Sequence, residues 1–261
     1  MARDQIGRVV KFSKTPQRIV SLVPSISELV IDLGLDLVGR TKFCSHPDSV
    51  RSVNIIGGTK NVRIDAVREL KPDLVIANKE ENPKRVVTEL EKDIPVWVTD
   101  VKTVDDCMDM IESIGTITRR QSAAKEIVGE IKSGFTEIEQ ANRGKTAVRG
   151  LYLIWKNPYM AAGTDTFISE VMKQMGIANV LEALGEDGKR YPKLEVEDIR
   201  RLNPELILLS SEPFPFKEKH AEEMRRAVEA KCRLVNGEYF SWYGSRMAKG
   251  ISYLKDFSRL Y

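Results

Sequence analysis

The sequence predicts an α/β protein of two parallel-sheet lobes joined by one long helix. Three observations carry this. The stretch ELKPDLVIANKEEN at residues 69–82 returns as RLNPELILLSSEPF at 201–214, with Pro72 and Pro204 separated by 132 residues. SISELVIDLGLDLVG at 25–39 returns as FISEVMKQMGIANVL at 167–181, displaced by 142 residues. Between the copies lies a proline-free segment, TITRRQSAAKEIVGEIKSGFTEIEQANR at 116–143, with apolar residues at helical spacing. Copies of about 100 residues each suit two α/β units better than a solenoid.

In the first copy, residues 18–23 read as an apolar strand. The helix after it carries an early acid, Glu28, and a glycine stop, Gly34. Ser25 and Glu28 stand at capping-box spacing. Pro72 ends a later helix, because proline lacks an N–H and biases Lys71 away from helix. The run Leu74-Val75-Ile76-Ala77 then reads as a strand buried on both faces of a parallel sheet. Trp97, between Val96 and Val98, reads as core. In the connector, Ile117, Ala124, Ile127, Val128, Ile131, Phe135 and Ile138 form the apolar stripe. Its roughly 28 residues would span about 40 Å as a helix. The second copy repeats the order: a strand at 150–154, a helix with Glu170 and Gly176, then Pro204, Glu205 and the run Leu206-Ile207-Leu208-Leu209. The expected division is a first lobe at 1–115, the connector at 116–143 and a second lobe at 144–261.

Lys+Arg 41 against Asp+Glu 38 leaves a charge of only +3, with no basic run and no acidic tail, so nothing points to nucleic acid or an anionic membrane surface. The opening residues, MARDQIGRVVKF, hold no apolar core of signal-peptide length. As written the chain reads as cytoplasmic; with a leader removed it would be periplasmic. Cys44, Cys107 and Cys232 are odd in number and widely spaced, which suits reduced thiols.

Ligands of open parallel sheets gather beyond the carboxyl ends of the strands. Trp155 and Trp242 fall in such loops, where aromatics would wall a binding site or else seal the packing of one lobe on the other. No phosphate loop, GxGxxG, HExxH or GxSxG is present, so enzyme templates fit badly. Of the two histidines, His220 lies in the charged helix KEKHAEEMRR and reads as solvated. Cys44 and His46 share one loop. They could be a soft metal pair, a thiol with its base, or ordinary loop residues.

RIVSLVPSISELVIDLGL, ELKPDLVIA, the long connector and the terminal aromatic loop FSWYGSR together resemble the helical-backbone periplasmic-binding-protein family. Within it the chain is most similar to cobalamin-binding proteins of corrinoid ABC importers, with iron–siderophore and haem binders as cousins. The resemblance implies a ligand cleft between the lobes, binding without chemistry and no catalytic cofactor. The implied solute is a small-molecule metal chelate, cobalamin or another corrinoid, with an iron siderophore or haem as the alternative. It implies ligand contacts from Pro24, Phe43, Cys44, His46, Asn78, Trp155, Tyr191, Phe214, Glu238, Phe240, Trp242 and Arg246. Arg246 could equally pair with Glu238. His46 would be a possible axial ligand to cobalt, against base-on binding with no protein ligand. The implied partner is an ABC permease, which docks on one exposed Glu per lobe. Here Lys84 occupies the first of those positions with Glu80 and Glu81 near, and Glu218 is a candidate for the second. A cytoplasmic corrinoid binder without a permease is the other possibility. The expected state is a monomer.

Overall fold

The computed structural model describes residues 1–260, the side chain of Glu186 excepted. Its elements are β1 (Ala2–Arg3), β2 (Val9–Val10), β3 (Arg18–Ser21), α1 (Pro24–Asp32), β4 (Asp36–Arg40), β5 (Asn54–Ile55), α2 (Ile64–Glu69), β6 (Leu74–Asn78), α3 (Lys84–Leu90), β7 (Val96–Thr99), α4 (Val104–Ile117) and α5 (Gln121–Asn142). They continue with β8 (Val148–Trp155), β9 (Tyr159–Ala161), α6 (Phe167–Gln174), β10 (Ile177–Asn179), β11 (Lys193–Leu194), α7 (Val196–Leu202), β12 (Leu206–Ser210), α8 (Glu218–Ala227), β13 (Lys231–Val235), α9 (Glu238–Ser241) and α10 (Ser245–Ser258). The chain forms two compact units, and each carries its own mostly parallel sheet. The α/β class and the two lobes read from the sequence are therefore what the structure has.

In the first unit the strand order is β5-β4-β3-β6-β7, every pairing parallel. All five residues of β6 are buried, as a central strand covered on both faces must be. One face packs Val20, Val75, Ala77, Val96 and Val98 against Val67, Val87 and Leu90 of α2 and α3. Trp97 is 1% exposed and is core, as expected.

In the second unit β8, β12 and β13 run parallel, and β10 joins the first half of β8. β9 folds back antiparallel on the end of β8 and carries β11. Leu151, Leu153, Ile207 and Leu209 form a core with Ile199 and Leu202 of α7 and Met224 of α8.

The repeated Pro-acid element has the same physical task in both units. Lys71 and Asn203, each preceding its proline, adopt left-handed backbone with φ 46°. The acid after each proline then clamps the neighbouring strand. Asp73 Oδ2 accepts from the backbone N–H of Arg18 at 3.1 Å, and Glu205 Oε2 from that of Arg149 at 2.9 Å. Each arginine returns the favour to the preceding helix: Arg18 Nη2 donates to Leu70 O at 2.9 Å, and Arg149 Nη2 to Leu202 O at 2.6 Å. Carbonyls left over at a helix end are satisfied this way. The repeat thus sets the amino ends of the sheets, and the strands it launches deliver loops at their opposite ends. The second echo also holds: Gly34 and Gly176 stop α1 and α6 at φ 69° and 77°, conformations that cost glycine little.

Two local expectations need correction. Ser25 and Glu28 form no capping box; the N-cap of α1 is Val23, without a side-chain cap, and Glu28 is drawn instead into an ion pair described below. The connector does not begin at Thr116. Thr118 Oγ1 bonds back to Ile114 O at 2.7 Å, Arg119 turns to φ 59°, and the long helix starts afresh at Gln121. The division between the units falls inside α5, between Ile131 and Lys132, and again inside α10, between Lys249 and Gly250. Residues 105–131 and 243–249 therefore group with the first unit, which differs from boundaries at 115 and 144.

Candidate ligand site

In an open parallel sheet the strand order reverses at one point, and the loops that diverge there leave a crevice. In the first unit that point lies between β3 and β6, in the second between β8 and β12.

At the first switch point, Asn82 ties the loops together. Its Oδ1 accepts from the Asn78 N–H at 2.8 Å, and its Nδ2 donates to Leu22 O at 3.2 Å and Thr59 O at 2.9 Å. Asn78 is 3% exposed, and its side-chain amide is saturated within the unit. Its Oδ1 accepts from the N–H groups of Glu80 and Glu81, and its Nδ2 donates to Thr99. Asn78 thus acts as a strut between loops in this structure. The signal for Asn82 was present in the sequence: an Asn four residues after another, across a turn.

Pro24 opens α1 at this end and is half-buried. Phe43 is 54% exposed, with the Lys42 ammonium 5.0 Å from its ring centre. His46 is half-buried in the same loop. Cys44 is buried, its Sγ 3.1 Å from Ser27 Oγ and 3.3 Å from Thr41 Oγ1, so it packs inward rather than presenting a thiol. Arg246 is also withdrawn. Its Nε lies 2.8 Å from Glu28 Oε2, and the pair is buried. A groove of about 570 Å³ at the β7 edge of this unit is lined by Asp4, Asp100, Asp106, Asp109 and Glu112, a carboxylate lining unsuited to a large apolar solute.

The second switch point carries the aromatic surface. Trp155 ends β8 and Phe214 lies in the loop after β12, and their rings meet edge to face at 5.7 Å between centroids. Trp155 is 40% exposed and Phe214 half-buried. Phe214 rests on Phe216 at 4.8 Å, whose side chain is buried in the core beneath. Trp242 joins the same loop: its indole N–H donates to Glu212 Oε1 at 2.9 Å, and Ser241 Oγ donates to that oxygen at 2.8 Å. Lys156, next to Trp155, is paired with Glu223 of α8. Burial raises the Tyr159 phenol above its ordinary value, so it stays a neutral hydroxyl. Tyr191 is 41% exposed under the Arg190 guanidinium, near edge strand β11. Glu238 is half-buried at the start of α9. Phe240, expected in the site, is fully buried against Tyr152 and Phe257, because α9 turns it inward, while Trp242 two residues later is half-buried.

His220, read as a solvated helix residue, is half-buried. Its ring lies 5.3 Å from Phe214 and 5.8 Å from Phe216, and its Nδ1 accepts from the Lys217 N–H at 2.9 Å. The sequence signal was the three-residue spacing from the helix start, the spacing of a capping partner.

Among the described residues, no cluster of three or more His, Cys, Asp or Glu side chains is placed to hold a metal ion.

Residues 19–231 match the family model described as periplasmic binding protein. The vitamin B12-binding protein of Pectobacterium carotovorum is 22% identical over 237 residues, which is 89% of this chain and 84% of that protein. Among solved structures, the periplasmic vitamin B12 binding protein of Vibrio cholerae superposes with a TM-score of 0.81 at 18% identity, covering 94% of this chain and 98% of that one. A periplasmic heme-binding protein from Roseiflexus superposes with a TM-score of 0.78 at 16% identity, covering 93% and 98%.

Proposed function

The chain belongs to the periplasmic binding protein family, as a solute-binding protein of the ABC-importer type, and we propose that its solute is a corrinoid. The observation that carries this reading is the Trp155–Phe214 pair at the second switch point. A broad, part-apolar macrocycle needs a rigid aromatic surface, and edge-to-face rings over a packed Phe216 supply one. Relatives named for vitamin B12 support the same class.

Heme is the competing solute, since heme-binding proteins share the fold. Its carboxylates would want cations with no partner of their own. Beside the aromatic strip Lys156 is paired with Glu223, and Lys79 is paired with Asp100, which favours a neutral solute edge at those two positions, while Lys42 lies against the Phe43 ring. The protein binds without turning its solute over and hands it to an ABC permease outside the cytoplasm. Exposed Glu80 and Glu81 lie beside the first-lobe position expected to dock, in place of Lys84.

Calorimetry with cyanocobalamin, aquocobalamin and hemin tests the reading. Micromolar or tighter cobalamin binding is the expected result. Hemin bound with no response to either cobalamin would overturn it. The visible spectrum of the aquocobalamin complex, in wild type and His46→Ala, decides whether His46 reaches cobalt.

A further inference from the structure

His220 continues the aromatic surface. Trp155 contacts Phe214, and Phe214 contacts the His220 ring, so the three rings form one strip along the second switch point. The imidazole is held by its neighbours in a single state. Nδ1 accepts a backbone N–H from Lys217, which requires Nδ1 to be unprotonated and places the ring proton on Nε2. Partial burial, then the ammonium groups of Lys156, Lys219 and Lys217, disfavour a cation on this ring against Glu223, and the ring stands at the amino end of α8, where the helix dipole acts in the same sense. Among the described residues Nε2 has no hydrogen-bond acceptor, so its proton is unspent.

We propose that His220 is a specificity-determining contact of the solute site, donating from Nε2 to a neutral carbonyl on the edge of the bound macrocycle. A corrin ring is fringed with amides that offer such oxygens, whereas the edge of heme offers carboxylates. The Lys156–Glu223 pair beside His220 sharpens the choice. Glu223 would repel a ligand carboxylate placed at His220, and the charge of Lys156 is already answered, while an amide oxygen meets only the neutral N–H. This inference rests on the corrinoid reading and adds to it the group that selects the amide edge.

The test uses three variants of the full chain. His220→Gln and His220→Glu both supply the acceptor that a helix start wants at this position, but only Gln can donate to a ligand. His220→Leu removes both functions. With cyanocobalamin, His220→Gln is expected to stay within about threefold of wild type, while His220→Glu and His220→Leu each lose about fivefold or more, the worth of one neutral hydrogen bond. Melting temperature separates the roles, because only His220→Leu loses the helix-start contact and should melt lower. If His220→Glu and His220→Leu both bind cyanocobalamin as wild type does, the donor role is overturned while the corrinoid reading stands. If wild type takes hemin and not cyanocobalamin, both fall together.

Discussion

Arg246 Nε lies 2.8 Å from Glu28 Oε2, with the two side chains 9% and 1% exposed. Lys249 Nζ reaches the other oxygen of Glu28 at 2.8 Å and Asp32 at 2.6 Å, so the first turns of α10 are fastened to α1 by charge. A buried carboxylate keeps its charge only while such partners remain. Arg246→Ala is expected to destabilise the protein by about 3 kcal/mol. Urea unfolding measures this, and an unchanged midpoint would mean that Lys249 alone satisfies Glu28.

Trp155→Ala and Phe214→Ala should each weaken cobalamin binding about tenfold, since about 1.4 kcal/mol is one decade and each ring removes a large flat apolar contact. Their effects should not add in the double variant, because the rings touch. Stability should distinguish them. Phe214 packs on the core and its loss should cost about 1–2 kcal/mol, whereas exposed Trp155 should cost little. Titration of both variants at equal protein concentration, alongside thermal melts, reads the two effects separately. Full affinity in Trp155→Ala would remove the strip from the site.

Stability should depend on pH through His220. Partial burial, then the ammonium groups of Lys156, Lys219 and Lys217, hold its imidazole below the ordinary value of 6.5, with Glu223 opposing. Between the folded and unfolded values the unfolded chain therefore binds more protons. The contribution is complete above about pH 6.5 and is lost as pH falls through the lower folded value. Wild type should lose more stability than His220→Gln between pH 7.5 and pH 5. Parallel losses in the two proteins would show that His220 titrates alike folded and unfolded.

The paired acids of the repeat should matter unequally. Asp73 accepts from the N–H groups of both Gln17 and Arg18 and pairs with Lys14 at 2.7 Å, whereas among the described residues the Glu205 carboxylate accepts from Arg149 alone. Asp73→Ala should cost about 2 kcal/mol and Glu205→Ala about 1 kcal/mol, because each leaves strand donors without an acceptor. Partial burial works against the Asp73 charge, but Lys14 and the two backbone donors outweigh it and hold the carboxyl below its ordinary value. Its stabilisation is therefore present above about pH 4 and fades as pH falls further. Equal unfolding midpoints for the two variants would contradict this ranking.

Much of the fold was legible because its signals are local. A proline that cannot donate, an acid beside it, a buried run of four apolar residues and a glycine stop are chemical facts about neighbouring positions, so ELKPDLVIA and RLNPELILL announced two equivalent units. Trp155 was legible for the same reason, since it stands where an apolar strand must end, whereas Phe214 came from the family resemblance. The partners of Arg246, Phe240, Asn78 and His220 were not. Glu28 lies 218 residues from Arg246, and only the packing of α10 on α1 brings them together. Phe240 and Trp242 are two residues apart in one aromatic loop, and a single turn of α9 sends the first into the core and leaves the second half-buried. His220 sits in a strongly charged helix that the sequence alone reads as solvated, yet its half-buried ring lies against Phe214 and Phe216. Short-range sterics and hydrogen bonding, written residue by residue, determined the elements. The choice of which polar group each element finds was decided by long-range packing, where the cost of leaving a buried donor or charge unanswered selects one partner among many.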